Sequence, residues 1–314
     1  MNRAIADLPA LARRARLPAL SPPARLIAGT LAGAAVAAAA IVRAAGMTIE
    51  PAGFARFALL AAAMLALSRW CARRYPDPRL AHAAAIVGSG TLALLLCGLI
   101  SNTGLRLGAP LIDPALVRLD AAFGLDVEAA VRAFAAYPRA IALLAAMYNL
   151  SGPVVVLTIL LAVAAGRPGK AWELTATAII SMQVVAIFAA AFPAIGAMAH
   201  LGMEDLQGSG VPVGAGVYHL AAFEHFRDGA SGVVRLADLD GVVTFPSFHT
   251  VLALLAAQAL HDTRWRWLGI GWSAGVIVST APIGGHYVTD LAAGCIVWLG
   301  AAALARRAVS SPSA

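Results

Sequence analysis

Long apolar runs, separated by polar or charged stretches, set the pattern of this chain. A helix needs about 20 predominantly apolar residues to cross a bilayer, and most of these runs approach that length. The runs are at about Leu26–Ala45, Ala52–Leu67, Leu80–Ile100, Ala140–Ala165, Glu173–Phe192, Phe245–Leu260, Trp267–Pro282 and His286–Leu304. The pattern therefore predicts an all-α polytopic membrane protein with about eight transmembrane helices.

The stretch 101–139 has a different, amphipathic pattern. Leu116, Phe123, Val127 and Val131 recur at helical intervals among acidic and basic residues. A helix with one apolar and one charged face lies in the plane of the membrane interface. We expect one or two interfacial helices here.

Composition excludes several classes of protein. With 61% hydrophobic and only 12% charged residues, and a mean hydropathy of +0.80, the chain has too little polar surface for a water-soluble globule. The net charge of +7 comes from basic residues dispersed among the apolar runs, which argues against nucleic acid as a partner. The three cysteines form neither a disulfide framework nor a metal-ligand spacing.

The basic residues also predict an orientation. With eight crossings, the majority of the 23 lysines and arginines fall on the side that carries both termini. That side is expected to be cytoplasmic, since cytoplasmic loops carry an excess of basic residues. The Ala- and Arg-rich composition suggests a bacterial inner membrane.

Two histidine-containing motifs occur in the last third of the chain, Thr244-Phe-Pro-Ser-Phe-His-Thr250 and Gly284-Gly-His-Tyr-Val-Thr-Asp290. Each places a histidine at the start of an apolar run, and one more run lies between them. Two antiparallel crossings return the chain to the same side, so His249 and His286 are expected to face one another, on the outer side of the membrane.

The spacing of the residues within each motif suits a particular chemical role. Pro246 suits the first helical position, which puts Ser247 at a helix N-terminus that favours an anion. His286 and Asp290 are four residues apart, so on a helix the carboxylate could orient the imidazole. This predicts a nucleophile with its orienting group, and a second histidine, His249, free to act as an acid.

The segments Pro246-Ser-Phe-His249 and His286-Tyr-Val-Thr-Asp290 resemble two signatures of the type 2 phosphatidic acid phosphatase superfamily. The resemblance implies a helical membrane bundle and a metal-independent phosphatase or phosphotransferase with no cofactor. It also implies that His286 becomes a phosphohistidine, that Asp290 holds it, that His249 protonates the leaving group and that Ser247 binds phosphate. The expected substrate is a lipid phosphate, pyrophosphate or phospholipid head group.

The His-Tyr-x-x-Asp form is most similar to the branch of inositol phosphorylceramide and sphingomyelin synthases. The general pattern has an arginine six residues before the nucleophile, and Thr280 stands there instead. The only lysine, Lys170, precedes a different apolar run. The resemblance therefore leaves open which cation binds phosphate, and whether water or an alcohol acceptor completes the reaction.

A transferring phosphoryl group needs fixed positive charge around its oxygens. Arg227 and Arg235 are the nearest basic residues before the first motif and lie on the expected side. We expect at least one of them to bind phosphate; the alternative is a solvated loop charge.

The resulting division of the chain has five parts. Residues 1–25 form an Arg- and Pro-rich cytoplasmic tail, 26–100 the N-terminal transmembrane helices, 101–139 the interfacial segment, 140–307 a phosphatase-like catalytic core and 308–314 a C-terminal tail. Two rival interpretations stay open: a zinc-dependent hydrolase using His249, His286, Asp290 and a loop histidine, and a transporter or scaffold in which the pair is a proton or structural network.

Overall fold

The computed structural model describes residues 21–310, so most of the predicted tail 1–25 lies outside the described residues. Within that range, six helices are long and apolar enough to cross a membrane. They are Pro22–Ala44 (α1), Pro51–Arg74 (α2), Arg79–Leu105 (α3), Pro138–Ala164 (α6), Pro168–Ala191 (α7) and Val288–Ser310 (α12). The protein is an all-α integral membrane protein, as the hydrophobic pattern predicts.

The remaining two apolar runs form shorter helices, Phe248–Leu260 (α10, 13 residues) and Arg266–Ser279 (α11, 14 residues). At 1.5 Å per residue each is about 20 Å long, less than the roughly 30 Å of a hydrocarbon core. Six helices of the described residues are therefore candidate membrane spans by length and composition, and the count of eight stays a prediction.

Proline marks the start of most of the long helices. It occupies the first helical turn of α1, α2, α6 and α7. This position suits proline because its fixed φ is helical and its missing N–H has no partner there in any case.

Two short helices lie in the amphipathic stretch, Asp113–Ala122 (α4) and Val127–Ala135 (α5). Asp126 caps α5 by accepting a hydrogen bond from the amide of Ala129 at 2.9 Å. The predicted helices are present, and their interfacial placement stays a prediction.

The centre of the bundle is made by α3 and α7, which are the most buried of the six long helices. Helices α1 and α2 pack on α3, while α10 packs against α6, α7, α11 and α12. Helix α10, which begins within the first histidine motif, is therefore enclosed by the C-terminal half of the bundle.

The long connection between α7 and α10 folds over the end of the bundle where α10 and α12 begin. It contains the short helices Ala197–His200 (α8) and Leu220–Arg227 (α9), and a two-residue strand, Val233–Val234 (β2), that pairs in parallel with Thr48–Ile49 (β1). The amide of Ala197 donates to the carbonyl of Gly285 at 2.6 Å, which ties this connection to the second motif.

Helix ends differ slightly from the predicted boundaries. Helix α1 begins at Pro22, inside the predicted tail, and α12 continues to Ser310, beyond the predicted end of the core at residue 307. The predicted boundaries follow the start of the apolar run at Leu26 and the basic pair Arg306 and Arg307, whereas helical hydrogen bonding continues beyond both.

Candidate active site

The first motif forms the start of α10. The helix begins at Phe248, and Ser247 is its N-cap, with the side-chain oxygen accepting from the Thr250 amide at 3.4 Å. Pro246 thus precedes the cap, and the expectation that it takes the first helical position is wrong. His249 lies in the first turn and keeps part of its surface exposed.

The second motif forms a tight turn before α12. The helix begins at Val288, so His286 precedes it and does not share a helical face with Asp290 as the spacing predicted. The carboxylate nevertheless accepts from His286 Nδ1 at 3.0 Å and from the Tyr287 amide at 3.0 Å. Gly285, at φ +70°, provides the left-handed turn that directs His286 back towards Asp290.

Backbone contacts join the two motifs. The Ser247 amide donates to the backbone carbonyl of Asp290 at 3.0 Å, and Ser247 Oγ lies 3.3 Å from His286 Nε2. Gly294 permits this approach, since a methyl group there would lie 2.5 Å from the Ser247 carbonyl oxygen. Ser247, His286 and Asp290 are all at most 2% exposed.

The hydrogen-bond partners of His286 favour one tautomer of its ring. An ionised carboxylate only accepts, so Asp290 fixes the proton on Nδ1 and leaves the lone pair on Nε2. Ser247 Oγ, which already accepts from Thr250, can donate its hydroxyl proton to that lone pair. The geometry therefore provides a buried, oriented imidazole with an unprotonated nitrogen, which is what a nucleophilic histidine requires.

His249 connects this buried pair to a groove. Its ring centroid is 6.3 Å from that of His286, and its ring stacks on Tyr148 at 3.7 Å with an interplanar angle of 17°. The groove has a volume of about 470 Å³ and is lined by His249, Tyr148, Tyr218 and Asn149 together with apolar side chains. The Tyr148 and Tyr218 hydroxyls are 3.3 Å apart. The sequence interpretation did not single out Tyr148, because nothing in its helical run distinguishes it from a packing residue.

Thr280, in the position where the resembled pattern has arginine, is adjacent to His286. Its carbonyl accepts from the His286 amide at 3.1 Å, and its buried hydroxyl donates to Ile277 within its own helix. The residue therefore supports the turn but supplies no charge to the site.

The two arginines proposed as phosphate ligands do not line the groove. Arg227 Nη2 donates to the carbonyl of Ala109 at 2.9 Å, while its Nη1 is buried without a hydrogen-bond partner in the described part of the chain. Arg235 is exposed, with its nearest carboxylate, Asp238, at 3.8 Å. The structure thus does not bring either arginine into contact with the histidines.

Two buried aspartates hold the second motif in place. Asp120 accepts from the amides of Val288 and Thr289 at 2.9 and 2.8 Å, thereby capping α12 from another helix. Asp113 accepts from the Tyr287 hydroxyl at 3.1 Å and from the Ile195 and Gly196 amides, each at 3.0 Å.

The sequence interpretation treated these two carboxylates as interfacial surface charges. Their spacing offered a signal, because Asp113, Leu116 and Asp120 share one helical face and all three are buried. Burying a carboxylate on the apolar face of an amphipathic helix costs free energy unless the carboxylate is hydrogen-bonded.

His219 lies beside the site, in the connection above it. Its Nε2 is 3.1 Å from the Ile195 carbonyl, and its ring is 3% exposed. Burial lowers the pKa of His219, against a raising contribution from its hydrogen bond to Ile195.

The rival zinc arrangement needs three or more converging ligands. Among residues 21–310, no group of three or more His, Cys, Asp or Glu side chains is placed to hold a metal ion. His286 Nδ1 is directed at Asp290 Oδ2 and not at a common third atom.

Comparisons with known proteins place these features in a family. No curated protein and no solved structure shows significant similarity to the chain. The sequence profile described as the PAP2 superfamily, however, matches residues 114–304. This match covers more than half of the chain and includes α4, α5 and both histidine motifs, so the chain belongs to the PAP2 superfamily, whose members are generally membrane phosphatases.

Proposed function

We propose that this protein is a metal-independent phosphatase or phosphotransferase that acts on a lipid phosphate, pyrophosphate or phospholipid head group through a phosphohistidine at His286. The observation that carries the proposal is the buried chain of contacts Ser247–His286–Asp290, with His249 at its open side. Membership of the PAP2 superfamily supports an enzyme of this class.

In the first step the Nε2 lone pair of His286 attacks phosphorus. An N–P bond forms, the P–O bond to the leaving group breaks, and protonated His249 gives its proton to the departing oxygen. Asp290 stabilises the positive charge that develops on the imidazole. The phosphate takes the place of the Ser247 hydroxyl on Nε2, and that hydroxyl is then free to donate to a phosphate oxygen.

In the second step the neutral His249 takes a proton from the incoming nucleophile. Its oxygen attacks phosphorus, the N–P bond breaks, and His286 is restored. Water as the nucleophile gives a phosphatase, and an alcohol gives a phosphotransferase of the synthase-like kind, including an inositolphosphotransferase. The groove beside His249 is bordered by Tyr148, Tyr218 and Asn149, whose polar groups suit a hydroxylated acceptor.

Phosphate also needs a cation, and Arg227 is the better of the two proposed arginines. Its buried Nη1 has no hydrogen-bond partner among residues 21–310, so a bound oxyanion would satisfy this group. Arg235, exposed and near Asp238, is the weaker candidate.

The proposed location is a bacterial inner membrane, with both termini in the cytoplasm and His249 and His286 facing outward. The majority of basic residues on the side of the termini supports this orientation. Membrane lipids are then both the environment and the substrate.

The test is release of phosphate and head groups from a panel of lipid phosphates, pyrophosphates and phospholipids by purified protein in detergent with EDTA. Wild type and His200→Ala, which alters an exposed histidine, should be active, and His286→Ala should be inactive. His249→Ala should lose roughly 10²- to 10⁴-fold, the usual contribution of a general acid.

A phosphorus-32-labelled substrate, quenched in alkali during turnover, should leave an acid-labile label on the peptide containing His286. Activity that EDTA abolishes would favour the metal-dependent rival. Equal turnover by wild type and His286→Ala would exclude the phosphohistidine mechanism.

A further inference from the structure

A second polar cavity lies at the opposite end of α10 from the histidines. It has a volume of about 710 Å³ and is lined in part by His261 and Asp262, which follow the last residue of α10. His249 and His261 are twelve residues apart, so roughly 18 Å of helix separates the two sites. None of the proposed catalytic residues lines this cavity.

Positive charge exceeds negative charge in its lining. Lys170, Arg266 and Arg306 face Glu173 and Asp262. With His261 neutral, one positive charge is left over, which matches the charge of a single phosphodiester. The pKa of Asp262 is lowered, first by its hydrogen bond to His261 and also by the charges of Lys170 and Arg167.

The floor of the cavity is a fixed polar network. Glu173 accepts from Gln258 Nε2 at 2.7 Å and from Arg306 Nε at 3.2 Å, and the Trp298 indole donates to Gln258 at 2.9 Å. Because these bonds use only the Nε of Arg306, they orient its two terminal nitrogens without occupying them. A guanidinium fork held in this way is suited to bind phosphate oxygens.

Arg266 supplies a second cation without a carboxylate partner among the described residues. Its guanidinium carbon lies 5.0 Å from the centre of the Trp267 ring. It is also the first residue of α11, a helix that has no side-chain cap and no acidic residue in its first turn. The Arg266 amide donates to the Thr263 carbonyl at 3.3 Å, and the other amides of that turn add to the attraction for an anion.

Apolar side chains continue from this charged cavity towards the surface. Leu254, Ile270 and Trp267 are part of the lining, and Trp267 is 68% exposed. An indole beside a cation at the end of a membrane helix is typical of the level of the lipid head groups. The site therefore combines a place for phosphate with a path for acyl chains.

From these features we infer that the cavity between the ends of α7, α10, α11 and α12 binds the phosphate of an anionic phospholipid head group, with Arg266 and Arg306 as its ligands. The inference does not depend on the proposed catalytic function. It requires only that basic pockets between membrane helices attract anionic lipids.

The test is the apparent melting temperature of the whole purified protein, titrated with phosphatidylglycerol, with phosphatidylcholine or with inorganic phosphate. Phosphatidylglycerol should raise it in a saturable manner, and phosphatidylcholine should not. Arg266→Gln should bind phosphatidylglycerol roughly tenfold more weakly, because one charge-assisted interaction is lost. This variant breaks no ion pair with a carboxylate, so it should fold normally.

Arg74→Gln is the matched control, since Arg74 is an exposed arginine at the end of α2 and lies outside the cavity. It should retain the wild-type response. The inference would be overturned if phosphatidylglycerol raised the melting temperature of wild type and Arg266→Gln at the same concentrations. It would also be overturned if phosphatidylglycerol and phosphatidylcholine had equal effects on wild type. If inorganic phosphate raised the melting temperature at the same concentration as the lipid, the site would bind free phosphate and the proposal of a lipid ligand would be wrong.

Discussion

The carboxylate of Asp120 accepts two hydrogen bonds from Thr289, one from the backbone amide at 2.8 Å and one from the hydroxyl at 2.6 Å. It lies on α4, 169 residues earlier in the chain. Helix α4 thus caps α12, the helix that carries Asp290. The position of the His286 turn depends on this cap because Tyr287 and Val288 directly precede Thr289.

Replacing Asp120 tests this dependence. Asp120→Ala should destabilise the protein by roughly 1–3 kcal/mol, since buried amides at the start of α12 lose their acceptor. Lipid-phosphate turnover should fall at least tenfold as the His286 turn loses its support. Both quantities are measured on purified protein, as apparent melting temperature and as phosphate release.

The matched control is Asp126→Ala, because Asp126 caps α5, which carries no proposed catalytic residue. It should lower the melting temperature only slightly and leave turnover near wild type. If Asp126→Ala and Asp120→Ala reduced turnover equally, the proposed link between Asp120 and the site would be wrong.

Gly294 governs the distance between α10 and α12. In Gly294→Ala the new methyl group would collide with the Ser247 carbonyl and approach Thr250, so the helices must separate. Overpacking of this kind costs about 1–3 kcal/mol, and the shift of Ser247 away from His286 should also lower turnover. Gly300→Ala, on the same helix with open space around it, should be neutral in both assays. Equal behaviour of the two variants would contradict the close approach.

The two candidate arginines should behave differently. Arg227→Ala removes a partly buried guanidinium that is hydrogen-bonded to Ala109 and, in our proposal, binds phosphate. It should lower turnover strongly. Arg235→Ala changes an exposed side chain and should stay within about twofold of wild type, as exposed ion pairs contribute little.

Substrate titration separates the possible causes of a defect in Arg227→Ala. Loss of a phosphate ligand should be only partly restored by saturating substrate, whereas a purely structural defect would appear as a lower melting temperature with normal kcat per folded molecule. Wild-type turnover in both variants would exclude these arginines as phosphate ligands.

His219 should make stability depend on pH. Its pKa in the folded state is lowered by burial, whereas an unfolded histidine titrates near about 6.5. Between the folded-state pKa and the unfolded-state pKa, the folded protein binds fewer protons at this histidine than the unfolded protein does. The contribution of His219 to stability is therefore complete above about pH 6.5 and is lost as pH falls.

The measurement is the change in apparent melting temperature between pH 8 and pH 5.5. It should be smaller in His219→Gln than in wild type, since glutamine can donate to Ile195 without titrating. His200→Gln, at an exposed position, should retain the wild-type change. An identical change in wild type and His219→Gln would exclude His219 as a contributor.

The sequence was sufficient to predict the helical membrane class, because twenty-residue apolar runs leave few alternatives in a bilayer. The family was also predictable, since the two motifs keep their residues at fixed spacing. The local sequence pattern was less reliable in predicting where the helices around the site begin. It placed Pro246 inside α10 and His286 inside α12, whereas capping by Ser247 and the turn at Gly285 begin both helices later.

The surroundings of the site depended on tertiary structure. In the sequence, Asp113 and Asp120 look like surface charges because other charged residues surround them. Only the packing of α4 against the starts of α8 and α12 shows that they accept hydrogen bonds from backbone amides. Tyr148 meets His249 from another helix, which no local pattern encodes. The sequence alone thus determines which residue types are available, and its short-range periodicity determines which helices form. Which groups meet is decided by contacts between residues far apart in sequence, and these exist only after the helices have packed.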